Sequence, residues 1–92
     1  MIKQDQLWPG GFRFLFDDEL FKPGTDSFLL GSFPRLRRGE RVCDLGAGTG
    51  LLGLLLLARE PSLYVTNVEL QEAAVELARQ NAALNGLSDR IT

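Results

Sequence analysis

Three glycines at alternate positions, Gly46, Gly48 and Gly50, follow the short run Arg41-Val42-Cys43-Asp44-Leu45 and precede the leucine-rich stretch Leu51 to Arg59. The first run reads as a strand. The second is apolar nearly all round, as a helix packed on a sheet face should be. Glycines set between the two let the backbone turn tightly and let a ligand approach with no Cβ in the way. A single glycine there would mean only a turn that needs a positive φ. Three at alternate positions, between strand and helix, point to a loop that cradles a ligand. This segment constrains the chain more than any other: it asks for an α/β fold with a parallel sheet.

The flanking segments agree with that demand. Glu60-Pro61-Ser62 ends the helix, and Leu63 to Val68 reads as a second strand, rich in β-branched and aromatic residues. Leu70, Ala73, Ala74, Leu77, Ala78 and Asn81 keep the spacing of a helix stripe, polar only at its last position. Asn85-Gly86 is a C-terminal stop, and Arg90-Ile91-Thr92 looks like the opening of a third strand. Strand, helix, strand, helix, strand in this order means a parallel sheet with right-handed crossovers. Such a sheet normally carries helices on both faces. Two strands and the start of a third do not complete it, so the expectation is the front portion of an open α/β domain.

The first third of the chain differs in composition. Seven of the eight aromatic residues fall within positions 1–33, and only Tyr64 lies beyond. Phe12, Phe14 and Phe16 alternate with Arg13 and Leu15, the period of a strand with one buried face. Asp17-Asp18 is turn chemistry, Glu19 to Lys22 is expected to return as a second strand, and Pro23-Gly24 stops it. Thr25 and Asp26 suit a helix N-cap, with a short helix over Ser27 to Phe33 ended by Pro34. The expected division is therefore 1–34, an aromatic hairpin and short helix, and 35–92, the first and incomplete β-α-β-α half of a ligand-binding domain.

Composition excludes several function classes. The 92 residues are 45% hydrophobic and 24% charged, a globular balance, and the net charge of −2 is not that of a basic nucleic-acid-binding chain. With no histidine and one cysteine, Cys43, there is no internal disulfide, almost no ligand set for zinc and no histidine-based catalysis. Cys43 itself is expected to be a small buried hydrophobe within its strand. The longest uncharged run, Leu45 to Ala58, is 14 residues with four glycines, whereas a membrane span needs about 20 apolar residues. No signal-peptide pattern opens the chain, so the expectation is a cytoplasmic protein without a membrane partner.

Two ligand classes compete for the glycine loop. Gly48-Thr49-Gly50-Leu51-Leu52-Gly53 satisfies the dinucleotide pattern, but that frame needs the strand to continue to about Ala47 and sets Asp44 close to a pyrophosphate, an unfavourable pairing. S-adenosylmethionine carries a sulfonium and an ammonium cation and no phosphate, and Asp44 suits it. Glu69 stands at the end of the second strand, 23 residues after Gly46. In either frame its two oxygens are placed to accept hydrogen bonds from both hydroxyls of a ribose.

Asp44-Leu45-Gly46-Ala47-Gly48-Thr49-Gly50, taken with Glu69, resembles the first two cofactor motifs of the class I S-adenosylmethionine-dependent methyltransferases. The aromatic hairpin and the segment Lys22-Pro23-Gly24-Thr25-Asp26-Ser27-Phe28-Leu29-Leu30-Gly31 narrow the likeness to the bacterial tRNA(Val) adenine-N6 methyltransferase family of the small-domain group. The resemblance implies a Rossmann-like fold and S-adenosyl-L-methionine as cofactor. It places the methionine half against Asp44, Gly46, Ala47, Gly48 and Gly50, the ribose against Glu69, and the adenine beside Leu70. Lys22, Thr25 and Asp26 are either a lid near the cofactor or ordinary helix capping. The family is similar in carrying an Asn-Pro-Pro-(Tyr/Phe) tetrapeptide that binds the nitrogen to be methylated, and no such tetrapeptide occurs here. The resemblance therefore implies the cofactor half of a methyltransferase, inactive alone, with a tRNA or other RNA substrate held through a C-terminal part. Another amino acceptor (an rRNA guanine or a release-factor glutamine), a nicotinamide-dependent oxidoreductase and a non-catalytic nucleotide-binding module are the alternatives.

Two further features read as structural. Arg35, Arg37, Arg38 and Arg41 fit a solvated connector better than an RNA contact, and the N-terminal phenylalanines fit a core better than a base-stacking platform.

Overall fold

The computed structural model describes residues 1–18 and 25–92. Two strands, β1 (Ile2–Gln6) and β2 (Arg13–Asp17), form an antiparallel hairpin. Helix α1 (Thr25–Ser32) precedes strand β3 (Arg41–Leu45), helix α2 (Leu51–Arg59), strand β4 (Tyr64–Val68) and helix α3 (Glu72–Leu84). β3 and β4 pair in parallel, with Val42 opposite Val65, Asp44 opposite Asn67 and Leu45 opposite Val68. Ile91 adds a parallel bridge on the far side of Val65. It is held by the Val65 amide on the Arg90 carbonyl (2.7 Å), the Thr92 amide on the Val65 carbonyl (2.9 Å) and the Asn67 amide on the Thr92 carbonyl (2.8 Å). The parallel α/β arrangement expected of the glycine-loop segment is the one observed.

The core forms where α2 covers the sheet. Leu54 and Leu57 of α2, with Leu63 and Val65 beneath them, are all but excluded from solvent. Gly53 permits the approach, since a Cβ there would lie 3.0 Å from Val65 Cγ1. Phe14 and Phe16 of β2 join the same cluster, with Phe12 half-buried against it and Arg13 exposed, so the aromatic alternation has the buried face it demands. α1 packs on α2, with Gly31 against Leu55. Arg59 closes the C-terminal end of α1 by donating from Nη1 to the Gly31 carbonyl and from Nη2 to the Pro34 carbonyl, both at 2.8 Å.

The hairpin is attached to α3 through two asparagines one helical turn apart. Asn85 accepts the Arg13 amide (2.8 Å) and donates to the Arg13 carbonyl (2.7 Å). Asn81 accepts the Leu15 amide (2.6 Å) and donates to the Leu15 carbonyl (3.0 Å). Two side-chain amides thus stand where a neighbouring strand would pair with the outer edge of β2.

Several expectations are corrected. The strand over 13–17 pairs with the upstream residues 2–6; the return strand expected over Glu19 to Lys22 lies outside the described residues. β1 escaped notice because Ile-Lys-Gln-Asp-Gln is exposed at every position and offers no alternation to read. Thr25 and Asp26 belong to the first turn of α1, ahead of the start expected at Ser27. β4 begins at Tyr64, although Leu63 before it is buried. α3 runs from Glu72, so Leu70 and Ala73 leave the stripe and are exposed, while Ala82 joins it. Cys43 is exposed. It shares with Arg41, Leu45, Tyr64, Thr66 and Val68 a sheet face exposed at all six positions, with the Arg90 guanidinium 4.5 Å above the Tyr64 ring, while Val42 and Val65 turn to the helices. All four connector arginines are exposed, as a solvated connector requires.

Since Phe14 belongs to the core shared with α2, Phe14→Ala should lower the unfolding free energy of the whole chain by about 3–5 kcal/mol in urea titration, as a single transition. A loss confined to the hairpin would show that the N-terminal unit folds apart from the rest.

Candidate functional site

β3 ends at Leu45, and the chain then turns through three left-handed positions, Gly46 (φ +72°), Gly48 (φ +58°) and Gly50 (φ +87°). That conformation costs an L-residue about 1–2 kcal/mol, which explains three glycines in five residues. The turn is fastened to the end of β4: the Gly46 and Ala47 amides both donate to the Val68 carbonyl, at 2.8 and 3.0 Å. The Gly50 amide closes on the Ala47 carbonyl at 3.0 Å and α2 begins.

The three glycines do different things. A Cβ at Gly50 would meet Asn67 Nδ2 at 3.2 Å and the Ala78 Cβ at 3.4 Å, so this glycine lets the loop lie against β4 and α3. A Cβ at Gly46 or Gly48 would meet nothing within 4 Å. These two border open space.

Glu69 follows β4 directly and faces the loop. Its Oε1 accepts the Gly48 amide at 2.9 Å, and its Oε2 accepts the Gln71 amide at 3.0 Å. The Gln71 and Gly48 amides hold the carboxyl below its ordinary range. Asp44, half-buried on β3 and without an ion-pair or hydrogen-bond partner among the described residues, is shifted the other way: burial raises its pKa. Gly48 and Glu69 line a cavity of about 650 Å³ together with Val75, Ala78 and Ala82 of α3 and with Ile91 and Thr92.

Of the residues singled out in the sequence, the structure brings Gly46, Ala47, Gly48, Gly50 and Glu69 together, with Asp44 two residues before the turn. Leu70, 94% exposed, sits beside Glu69 without packing on the loop. Asp26 is exposed on α1, Thr25 opens that helix, and Lys22 lies outside the described residues. Each Glu69 oxygen already accepts one backbone amide, which leaves one lone pair on each. The strand stops at Leu45, short of the Ala47 that the disfavoured dinucleotide frame required. Two residues were missed. Asn67 lies within β4 with Oδ1 buried and unpartnered among the described residues, and Thr49 Oγ1 is in the same condition. An asparagine amid Tyr-Val-Thr-Asn-Val was the available signal, since strands disfavour it.

The carboxylate of Glu69 is favoured by the fold, so its contribution to stability is complete above the ordinary glutamate range and is lost as pH falls through the depressed value. Glu69→Gln should therefore lower the urea midpoint at neutral pH. The gap from the parent chain should close once the pH lies below that value, and a gap that persists in acid would contradict the contact.

A family model described as methyltransferase small domain matches residues 15–92. The chain is 37% identical over 95 aligned positions to the tRNA1(Val) (adenine(37)-N6)-methyltransferase of Yersinia pestis (strain Pestoides F), covering 97% of this chain and 38% of that protein. It thus spans well under half the length of the curated relatives it matches. The crystal structure of a SAM-dependent methyltransferase from Geobacter sulfurreducens in complex with S-adenosyl-L-homocysteine is similar at a TM-score of 0.65 and 27% identity, over 75% of this chain and 28% of that one. P. horikoshii TYW2 in complex with MeSAdo shares the fold at a TM-score of 0.76 and 18% identity, over 98% of this chain and 34% of its own. With its parallel strands, glycine turn and strand-end acid arranged in this Rossmann-like way, the chain belongs to the methyltransferase small domain family.

Proposed function

We propose that the loop from Asp44 to Gly50, with Glu69, holds S-adenosylmethionine, and that the protein transfers its methyl group to an amino nitrogen, that of adenine in tRNA. One observation carries the cofactor assignment: a turn of three left-handed glycines has two open on the ligand side, and its middle amide is fixed by an acid at the end of the next strand. S-adenosylmethionine supplies a methyl group made electrophilic by the adjoining sulfonium.

The chain's own residues fit such a guest. Asp44 is a partly dehydrated carboxylate with no counter-charge among the described residues, so a cation brought beside it gains more than it would in water, and a phosphate is repelled. Glu69 spends one lone pair of each oxygen on Gly48 and Gln71 and keeps the others for ribose hydroxyls. Gly46 and Gly48 keep the approach clear of side chains.

The acceptor assignment rests on other support, the 37% identity to relatives named as tRNA1(Val) adenine-N6 methyltransferases. The amino nitrogen of adenine is a poor nucleophile because its lone pair is delocalised into the ring, so a site must hydrogen-bond its protons and align it with the methyl group. The base must also leave its stack. These 92 residues offer cofactor contacts and no Asn-Pro-Pro-(Tyr/Phe) segment for those tasks.

Calorimetry with S-adenosyl-L-homocysteine and with NADH tests the reading: heat with the first and none with the second is expected, and the reverse would overturn it. Asp44→Asn should weaken S-adenosyl-L-homocysteine binding by about ten- to a hundredfold, the worth of a charge-assisted contact. The same variant should be more stable at neutral pH. A raised carboxyl pKa means the fold loses stability as pH rises through that value, and the amide does not ionise.

A further inference from the structure

Asn81 is 1% exposed, the one polar member of the buried stripe of α3, and its side chain makes three hydrogen bonds to two separate parts of the chain. Oδ1 accepts the Leu15 amide at 2.6 Å, and Nδ2 donates to the Leu15 carbonyl at 3.0 Å. The other Nδ2 hydrogen goes to the carbonyl of Thr49, inside the glycine turn, also at 3.0 Å. Both donors of the amide are therefore used, one on the hairpin edge and one on the loop. The Thr49 carbonyl lies between Gly48 and Gly50, the two residues whose φ values shape the far half of the turn.

We infer that Asn81 is a positioning residue for the cofactor loop, coupling the conformation of the Gly48-Thr49-Gly50 turn to the docking of the N-terminal hairpin. Burial makes this consequential, because a buried amide cannot exchange a lost partner for water, so displacing the hairpin leaves Asn81 with unpaired groups and frees it to shift off Thr49. Asn85 supplies the internal control. It clamps Arg13 in the same way one turn along α3, yet its third bond goes to the Asn81 carbonyl and none reaches the loop. The hairpin thereby becomes a remote determinant of cofactor affinity. This inference rests on the cofactor reading above only for its binding arm.

The test compares Asn81→Ala, Asn81→Asp and Asn85→Ala by S-adenosyl-L-homocysteine calorimetry, thermal unfolding and backbone hydrogen exchange. Asn81→Ala should weaken binding by about fivefold or more and speed exchange at Gly50 and Leu51 in the ligand-free protein. Asn81→Asp keeps the size and the acceptor for Leu15 but removes both N–H donors, so it should lose binding likewise. Asn85→Ala loosens the hairpin but leaves the Asn81–Thr49 bond in place, so it should lower Tm with a clearly smaller loss of affinity and of loop protection than Asn81→Ala. Coupling is reciprocal, so in the wild-type protein S-adenosyl-L-homocysteine should slow exchange of the Leu15 amide more than that of the Phe14 amide on the β1 side of the same strand. Equal losses of affinity in the Asn81 and Asn85 variants at matched Tm, or a Leu15 amide indifferent to ligand, would overturn the inference. Should the wild-type protein show no heat with S-adenosyl-L-homocysteine, the cofactor reading fails. Loop exchange in the ligand-free variants then still decides the coupling, rising more with Asn81→Ala than with Asn85→Ala if it exists and unchanged by Asn81→Ala if it does not.

Discussion

The parallel register of β3 and β4 sets Leu45 beside Val68, so both strands finish level. Every feature of the site depends on that alignment. It places the Val68 carbonyl where Gly46 and Ala47 can reach it, and it leaves Glu69 one residue further on, opposite Gly48. A slip of one residue would turn Val65 from the helices to solvent and carry the acid away from the turn, so burial of that one valine specifies the site as well as the sheet. Long-range packing under α2 and a short run of backbone hydrogen bonds are two consequences of one pairing.

The two carboxylates near the turn are tuned in opposite senses by ordinary causes. Glu69 is ionised readily because amides point at it, and it acts as a fastener between strand end and loop. Asp44 is ionised reluctantly because it is partly dehydrated and unpartnered among the described residues, which is why the proposed assignment sets the cofactor's cation beside it. A structural acid and a receptive acid thus lie a short way apart along the level strand ends, and their environments distinguish them where residue type does not.

Much of this was legible in the sequence. β3 and α2 lie between the expected limits because their evidence was local: a short strand, three glycines, then leucines around a whole helix circumference. β1 was illegible because a hairpin edge strand with every residue in water carries no periodicity. The exposure of Cys43 was illegible for another reason, since its apolar strand announces burial without saying which face is covered. The partners of Glu69 and the bonds of Asn81 depend on distances across 21 and 66 residues, and spacing along a chain does not encode them. Asn81 was visible only as the polar exception in its stripe. That exception marked a buried side chain bonded to both the hairpin and the glycine turn.

The asparagine pair on α3 also bears on association between molecules. A hairpin strand with one side unpaired is a template on which another chain can add, and edges of this kind are what soluble proteins must blunt. On β2 the backbone groups of Arg13 and Leu15, which face away from β1, are all engaged by Asn85 and Asn81. Side-chain amides have taken the places a foreign strand would need at Arg13 and Leu15, so β-augmentation of the aromatic hairpin is blocked at these two residues by the protein's own helix.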